Sequence, residues 1–122
     1  MRTLFIDIET FSGVDIKECG SYKYIESNDF EILLIGFAYD DEPVHVYDLV
    51  QNCEYVYVNE NLVFVDFIDG IPESFVNDVK NKDIRKIAHN ASFERRSFDR
   101  VGIHTEPIDW YCTLVKAGYC TT

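Results

Sequence analysis

The sequence has few positive charges and no long apolar run. It carries 11 Lys and Arg residues against 22 Asp and Glu, which gives a formal net charge of −11. A domain this acidic is not an obvious nucleic-acid binder, because contacts to phosphate need Lys and Arg. No stretch of about 18 consecutive apolar residues is present, so the sequence predicts no membrane span. The first residues also lack the basic and apolar regions of a secretion signal.

The cysteines lack the spacing of a zinc site. Cys19, Cys53, Cys112 and Cys120 include no C-x-x-C pair, which argues against a structural zinc site. Without a secretion signal, reduced thiols in a cytoplasmic protein are the simplest expectation. The 122 residues are enough for a single domain, and a hydrophobic content of 47% supports a real core.

The first half of the sequence predicts strands, and the second half alternates helices with strands. Segments with strand-like composition are 2–8, 30–39, 44–49, 55–67 (a short hairpin), 84–89 and 109–112. Segments with helical spacing are 71–79, 91–101 and a last one that starts near Thr113. Pro72 near one helix start, Asn90 as an N-cap and Gly102 as a helix end support these bounds. This order predicts an α/β domain with one central sheet.

Two acids stand within a strand that is otherwise apolar. The stretch TLFIDIETFS, residues 3–12, contains Asp7 and Glu9. Because side chains alternate faces along a strand, both acids point the same way and lie about 7 Å apart. Burying a carboxylate costs several kcal/mol unless it is protonated, paired or bound to a metal. The pattern therefore predicts a small acidic patch on this strand.

A third acid, Glu94, begins the helix in AHNASFE, residues 88–94. The helix dipole alone can explain a carboxylate in a first turn, where it contributes about 0.3–1 kcal/mol. Neighbouring strands of a central sheet can also bring Glu94 to the same edge as Asp7 and Glu9. Three converging carboxylates repel one another unless a cation lies between them, and oxygen ligands of this kind suit Mg²⁺ or Mn²⁺.

The motifs FIDIET and HNASFE, with this order of strands between them, resemble the first two motifs of the DEDD superfamily of 3′–5′ exonucleases. The stretch from DIETFSG to PVHVYDL is similar in particular to the N-terminal exonuclease region of phage and prophage DNA polymerases of the polymerase I type. The resemblance implies a ribonuclease-H-like mixed sheet, with three antiparallel strands followed by alternating strands and helices. It also implies two-metal hydrolysis of DNA from a single-stranded 3′ end, a polymerase domain as partner, and a cytoplasmic location in a bacterium or phage-infected host.

The resemblance assigns roles to individual residues. Asp7 and Glu9 would bind Mg²⁺ or Mn²⁺, and Glu9 would also orient the attacking water. Glu94 stands where the family usually has Asp, and its longer side chain would reach the second metal directly or through water. For the substrate, Phe11 would contact a base or sugar, Asn90 would hold the strand–helix corner or approach the DNA, and Phe93 would pack beneath the site.

The sequence departs from the family in its second half. The third motif, a Tyr or His with a fourth acid on a later helix, is absent, and Asp99, Glu106 and Asp109 do not match it. The chain also stops as a helix begins. We therefore expect residues 1–122 to be a partial domain without its C-terminal part, with an apolar face left exposed or used for self-association. We also expect little nuclease activity from these residues alone.

Other interpretations remain open at the level of the sequence. The domain could keep the fold and bind DNA or the polymerase without cleaving, or it could belong to a stand-alone RNA-trimming exonuclease. Tyr22, Tyr24 and Phe30, in a loop after the first motif, could stack on bases or simply pack. The one loose basic patch could meet DNA or balance the acidic surface, and it comprises Lys80, Lys82, Arg85 and Lys86.

Overall fold

The computed structural model describes residues 2–113, in which seven strands form a single sheet. The strands are β1 (Arg2–Phe11), β2 (Glu31–Tyr39), β3 (His45–Asp48), β4 (Cys53–Val58), β5 (Asn61–Phe67), β6 (Ile84–Ala88) and β7 (Trp110–Cys112). The helices are α1 (Ile16–Glu26), α2 (Glu73–Lys80) and α3 (Ala91–Arg100), and a short 3-10 turn spans Pro107–Asp109. Thr113 is helical, and the rest of the helix predicted from that residue lies outside the described residues.

The sheet is mixed, with the order β5-β4-β3-β2-β1-β6-β7. Strands β5 to β1 pair antiparallel, while β6 runs parallel to both β1 and β7. The predicted α/β class is thus confirmed, and the arrangement is compatible with a ribonuclease-H-like fold. Within residues 2–113, no helix is both long and apolar enough to cross a membrane.

The core lies on one side of the sheet, between the strands and the helices. In β1, Leu4, Ile6 and Ile8 are buried, whereas the alternate side chains of the strand are exposed. Phe75 of α2 contacts this side of the sheet, with its ring centroid 4.9 Å from that of Phe37. Each such side chain contributes about 1.5–3 kcal/mol through burial. One face of the sheet therefore anchors the fold, and the residues between the buried ones point to the other face.

The segment between β1 and β2 is a helix, so the loop predicted there was wrong. Asp15 caps α1 by accepting the backbone N–H of Lys17 at 2.8 Å. Gly20 interrupts the helix with φ 79° and ψ 166°, and Ile25 is its one buried residue. A helix that buries so little carries no 3.6-residue apolar repeat for a sequence pattern to reveal.

The predicted hairpin at 55–67 is confirmed as β4 and β5. Asn59 and Glu60 form its two-residue turn with φ of 51° and 67°, as a type I′ hairpin turn requires. Every residue of β5 is exposed. Among residues 2–113, the sheet therefore ends on this side in an edge strand that no other element covers.

Candidate functional site

Asp7 and Glu9 lie on the sheet face opposite to helices α1, α2 and α3. Both are exposed, in the middle of a strand whose intervening residues are buried. In the sheet they pair with Gly36 and Leu34 of β2. Their carboxylates therefore keep most of their hydration. The free-energy cost of burying a carboxylate in an apolar strand is thus avoided.

Glu94 lies in the first turn of α3 and is 5% exposed. Its Oε2 atom has no hydrogen-bond partner among the residues described. Burial raises the pKa of Glu94 to about 8; a hydrogen bond from its own backbone N–H opposes the shift, and the charges of Asp7 and Cys112 add to it. The charge of Asp7 is thus a smaller contribution than burial to the raised pKa of Glu94.

The start of α3 is fixed by contacts of the two residues that follow β6. The carbonyl of Asn90, in the N-cap position, accepts the backbone N–H groups of Phe93 and Glu94 at 2.9 and 3.3 Å. His89, just before it, is exposed and its Nδ1 lies 2.8 Å from Oγ1 of Thr113. These contacts hold the strand–helix corner from which Glu94 projects.

The aromatic residues expected at the substrate have different surroundings. Phe11, at the end of β1, is 44% exposed. Phe93 is half-buried, with its ring centroid 6.1 Å from that of Tyr24 in α1. Tyr24 also shares a 3.0 Å hydrogen bond with the Thr10 hydroxyl. Phe93 and Tyr24 thus pack α3 and α1 together. The ring of Phe11 remains partly exposed, so it can contact a ligand.

The other two aromatics considered near the substrate divide in the same way. Phe30 is buried in the core, with its ring centroid 5.9 Å from that of Tyr24. Tyr22 is 62% exposed on α1. Packing therefore accounts for Phe30.

The acids that follow Glu94 have local partners. Asp99 pairs with His104. Asp109 accepts the backbone N–H of Glu106 at 3.1 Å and lies 3.5 Å from Nζ of Lys82. These contacts give Asp99 and Asp109 roles in stabilising the local structure.

The predicted basic patch is smaller than its sequence indicates. Lys86 is fully buried, and its Nζ donates to the carbonyl of Asn81 at 2.8 Å. Burial lowers the pKa of this amine. Lys80, Lys82 and Arg85 remain exposed, so Lys86 must be removed from the patch.

The residue types at this site fit Mg²⁺ or Mn²⁺. Carboxylate oxygens are the ligands these ions prefer, and the buried Oε2 of Glu94 is an acceptor without a partner in the described chain. Between residues 2 and 113, no group of three or more His, Cys, Asp and Glu side chains is arranged to hold a metal ion. Asp7 and Glu9 are exposed, so their side chains can change rotamer without disturbing the core.

A groove on the open face extends from the two acids across β2. Gly36 and Ala38 line it together with Asp7 and Glu9. This groove was not predicted from the sequence. Its signal is the spacing of Gly36 and Ala38 in β2, because two small residues separated by one position leave a depression on a single face of a sheet.

Comparison with known proteins gives a partial match. Over 118 residues, or 96% of its length, the chain is 38% identical to a DNA polymerase of Bacillus phage SP02. The matched region is 16% of that polymerase, so the chain spans a small part of the relative. No family model matches the chain, and no solved structure gives a significant match.

Proposed function

We propose that this chain is the metal-dependent 3′–5′ exonuclease domain of a phage-type DNA polymerase. Its similarity to a phage DNA polymerase over 96% of its length supports the polymerase context. The motifs FIDIET and HNASFE support the exonuclease assignment. DNA with a single-stranded 3′ end is the proposed substrate, and the polymerase domain of the same protein is the proposed partner.

The observation that carries the proposal is the chemistry of three acids, Asp7 and Glu9 in β1 and Glu94 in the first turn of α3. Asp7 and Glu9 are exposed on one face of an apolar strand. Glu94 is buried, its Oε2 has no hydrogen-bond partner among residues 2–113, and the charge of Asp7 adds to the rise that burial causes in its pKa. Ionising a buried carboxyl group is costly when no cation is near. Ionisation becomes favourable when a cation neutralises the carboxylate. The chemistry of these three acids therefore favours binding of a cation.

In this proposal the chain supplies ligands and substrate contacts. Asp7, Glu9 and Glu94 bind the ions, and Glu9 also orients the attacking water. Phe11 contacts a base or sugar at the 3′ end, and Asn90 and Phe93 maintain the corner beneath it. When bound, two divalent ions would lower the pKa of the attacking water and stabilise the leaving oxygen.

Metal binding by the 122-residue chain is the first test. We expect calorimetry to detect Mn²⁺ binding that is tighter than Mg²⁺ binding, because Mn²⁺ accepts irregular carboxylate geometry more readily. Asp7→Asn removes one charged ligand and should weaken Mn²⁺ binding by about tenfold or more, which corresponds to about 1.4 kcal/mol or more. Asp69→Asn, which removes an exposed acid outside the site, is the matched control. Equal losses in both variants would mean that general surface charge holds the metal.

Cleavage is tested with single-stranded DNA labelled at the 5′ end, in the presence of Mn²⁺. We expect slow shortening from the 3′ end at most, because no fourth acid matching the family motif is found in the sequence. A ligand displaced by about 1 Å can cost on the order of 100-fold in rate. Asp7→Asn should abolish whatever activity exists. An RNA strand of the same sequence, cleaved faster than the DNA, would instead favour an RNA-trimming exonuclease.

A catalytically silent domain is the second candidate function. It is favoured by the local contacts of Asp99 and Asp109, since each of these later acids already serves the surrounding structure. Such a domain would bind DNA or the polymerase without hydrolysis. Mn²⁺ binding that depends on Asp7, combined with no cleavage by the longer polymerase chain, would support this function over the exonuclease.

A further inference from the structure

Tyr24 of α1 contacts both segments that carry the acids of the site. Its hydroxyl shares a 3.0 Å hydrogen bond with the hydroxyl of Thr10, which directly follows Glu9 in β1. Its ring centroid lies 6.1 Å from that of Phe93, which directly precedes Glu94 in α3. Consecutive Cα atoms are only about 3.8 Å apart, so each contact lies one residue away from a proposed metal ligand.

The end of β1 needs such a support because its sheet pairing is irregular there. Glu9 pairs with Leu34 of β2. The next residue, Thr10, pairs with Ile32, so the register shifts between these two residues of β1. A bulge of this kind interrupts the ladder of backbone hydrogen bonds and changes the direction of nearby side chains. On the other side of β1, the pairing with β6 covers residues 2–5. The side chain of Thr10 therefore gives the strand an additional attachment just beyond the bulge.

The alternation of side chains in β1 directs Thr10 towards α1. Leu4, Ile6 and Ile8 are buried on the face that contacts the helices. Thr10, two residues beyond Ile8, is half-buried on the same face. Glu9 lies between them and points to the opposite face. The hydrogen bond behind the strand thus restrains the backbone from which Glu9 projects.

The segment that carries α1 is closed at its base, so the helix can serve as a fixed support. Asp29 accepts the backbone N–H of Gly13 at 2.9 Å and also accepts the hydroxyl of Ser27. An added Cβ at Gly13 would clash with the Asp29 carboxylate, which shows how closely the two ends of the segment approach. The ring of Phe30 packs edge-on against Tyr24, with the centroids 5.9 Å apart. Tyr24 is therefore held from behind as well as by its contacts with β1 and α3.

We propose that Tyr24 is a positioning residue that fixes the relative placement of Glu9 and Glu94 for binding a divalent ion. Its hydroxyl acts on β1 through Thr10, and its ring acts on α3 through Phe93. Ligands must be held to within about 0.5 Å, and this depends on the side chains behind them as well as on the ligands themselves. The inference rests on the proposed function, because the ion is the one assigned there to the three acids.

Two neutral substitutions test the hydrogen bond. Tyr24→Phe keeps the ring and Thr10→Val keeps the shape of the side chain, and each removes one hydroxyl without changing the net charge. We expect each to weaken Mn²⁺ binding, measured by calorimetry on the 122-residue chain, by about 3- to 10-fold. This is less than the roughly 10- to 100-fold loss typical of residues that contact a ligand directly, because Tyr24 acts through a neighbouring residue. The double variant should bind no more weakly than either single variant, since both remove the same interaction.

A third substitution tests the contact of the ring with α3. Tyr24→Leu removes the contact with Phe93 as well as the hydroxyl, so we expect it to bind Mn²⁺ more weakly than Tyr24→Phe does. Urea unfolding of the same samples shows whether each variant is folded under the binding conditions. If Tyr24→Leu does not fold, the comparison of Tyr24→Phe, Thr10→Val and their double variant decides the proposal.

Tyr39→Phe is the matched control. Tyr39 is also half-buried, and its hydroxyl donates to Asp78, which joins β2 to α2 rather than to either segment of the site. Both Tyr→Phe variants lose one hydrogen bond of the core face, so both can lower the free energy of unfolding. Only Tyr24→Phe should weaken Mn²⁺ binding.

The outcomes separate this inference from the proposed function. Unchanged Mn²⁺ affinity in Tyr24→Phe and Thr10→Val, together with a loss in Asp7→Asn, would overturn the positioning role and leave the metal site intact. Equal losses in Tyr24→Phe and Tyr39→Phe would reduce Tyr24 to a general contributor to stability. Losses that multiply in the double variant would show two independent effects instead of one hydrogen bond. If Asp7→Asn binds Mn²⁺ as the original chain does, the metal site and the role of Tyr24 are both wrong.

Discussion

At the scale of single residues, Glu94 combines burial with a carboxyl oxygen, Oε2, that has no hydrogen-bond partner in the described part of the chain. Its carboxyl group is 5% exposed, and its pKa is raised to about 8, chiefly by burial. Below its ordinary pKa of 4.5, both the folded and the unfolded chain hold the proton. As the pH rises towards 8, the unfolded chain releases this proton while the folded chain retains it. Glu94 therefore reduces the free energy of unfolding by up to about 1.4 kcal/mol for each pH unit in this interval.

Glu94→Gln removes the ionisable group while keeping its size. We expect this variant to be more stable than the original chain at pH 8, by on the order of 2 kcal/mol or more, and nearly equal to it at pH 4.5. Urea unfolding at the two pH values measures the difference. Glu73→Gln is the control, since Glu73 is an exposed acid in the first turn of α2. A stability gain at pH 4.5 as large as that at pH 8 would show that ionisation of Glu94 is not the cause.

Lys86 shows what a sequence pattern misses at this scale. In the sequence it belongs to a basic cluster, yet in the fold it is fully buried and donates to the carbonyl of Asn81. That acceptor is supplied by the end of α2 and the turn into β6, so the burial of Lys86 depends on tertiary structure. By contrast, Asp7 and Glu9 could be identified from the sequence, because acids within an apolar strand violate the local pattern and have few structural explanations.

At the scale of secondary structure, α1 depends on Gly20. Its φ of 79° with ψ of 166° is a backbone conformation that is essentially limited to glycine. Gly20→Ala should therefore reduce the free energy of unfolding by about 1–3 kcal/mol. Urea unfolding followed by circular dichroism measures this loss, together with any loss of helical signal from α1.

Gly36→Ala is the matched control for Gly20→Ala. Gly36 lies in β2 without a positive φ, and an added Cβ would meet the Asp7 carbonyl oxygen at an ordinary 3.7 Å. Alanine there should leave stability unchanged or raise it by about 0.4–1 kcal/mol. If both substitutions have the same effect, the backbone conformation at Gly20 is not what limits α1.

The elements that could be predicted are those with a clear repeat. In β1 and β2 the apolar residues either alternate with polar ones or form a continuous run. In α2 and α3 the apolar residues recur at helical spacing and include the buried Phe75 and Phe98. Helix α1 has a single buried residue and a glycine in its middle, so its position depends on Tyr24 packing between Phe30 and Phe93. The groove was also missed, because it depends on which strands lie beside β2.

At the scale of the whole molecule, the two faces of the sheet differ in chemistry. One face holds the helices and the apolar core, while the other combines exposed apolar side chains with acids. The chain as a whole carries 22 acidic against 11 basic residues. Mutual repulsion is stronger in the compact state than in the unfolded chain, so this excess negative charge opposes folding.

Salt should therefore stabilise the folded chain. Raising KCl from 10 to 150 mM shortens the Debye length from about 30 Å to about 8 Å and weakens repulsion between exposed charges. We expect the melting temperature to rise by roughly 2–6 °C, which corresponds to on the order of 1 kcal/mol for a domain of this size. Differential scanning calorimetry in EDTA measures the effect without a contribution from divalent metals.

A variant with reduced net charge tests whether screening is the cause. Asp41→Lys combined with Asp69→Lys changes two exposed acids to cations, and each change makes the net charge two units less negative. Because less repulsion remains to be screened, the melting temperature of this variant should rise less between 10 and 150 mM KCl than that of the original chain. Its melting temperature at 10 mM KCl should also be higher. An identical salt response in both proteins would contradict general repulsion and would point instead to specific binding of potassium or chloride by the folded chain.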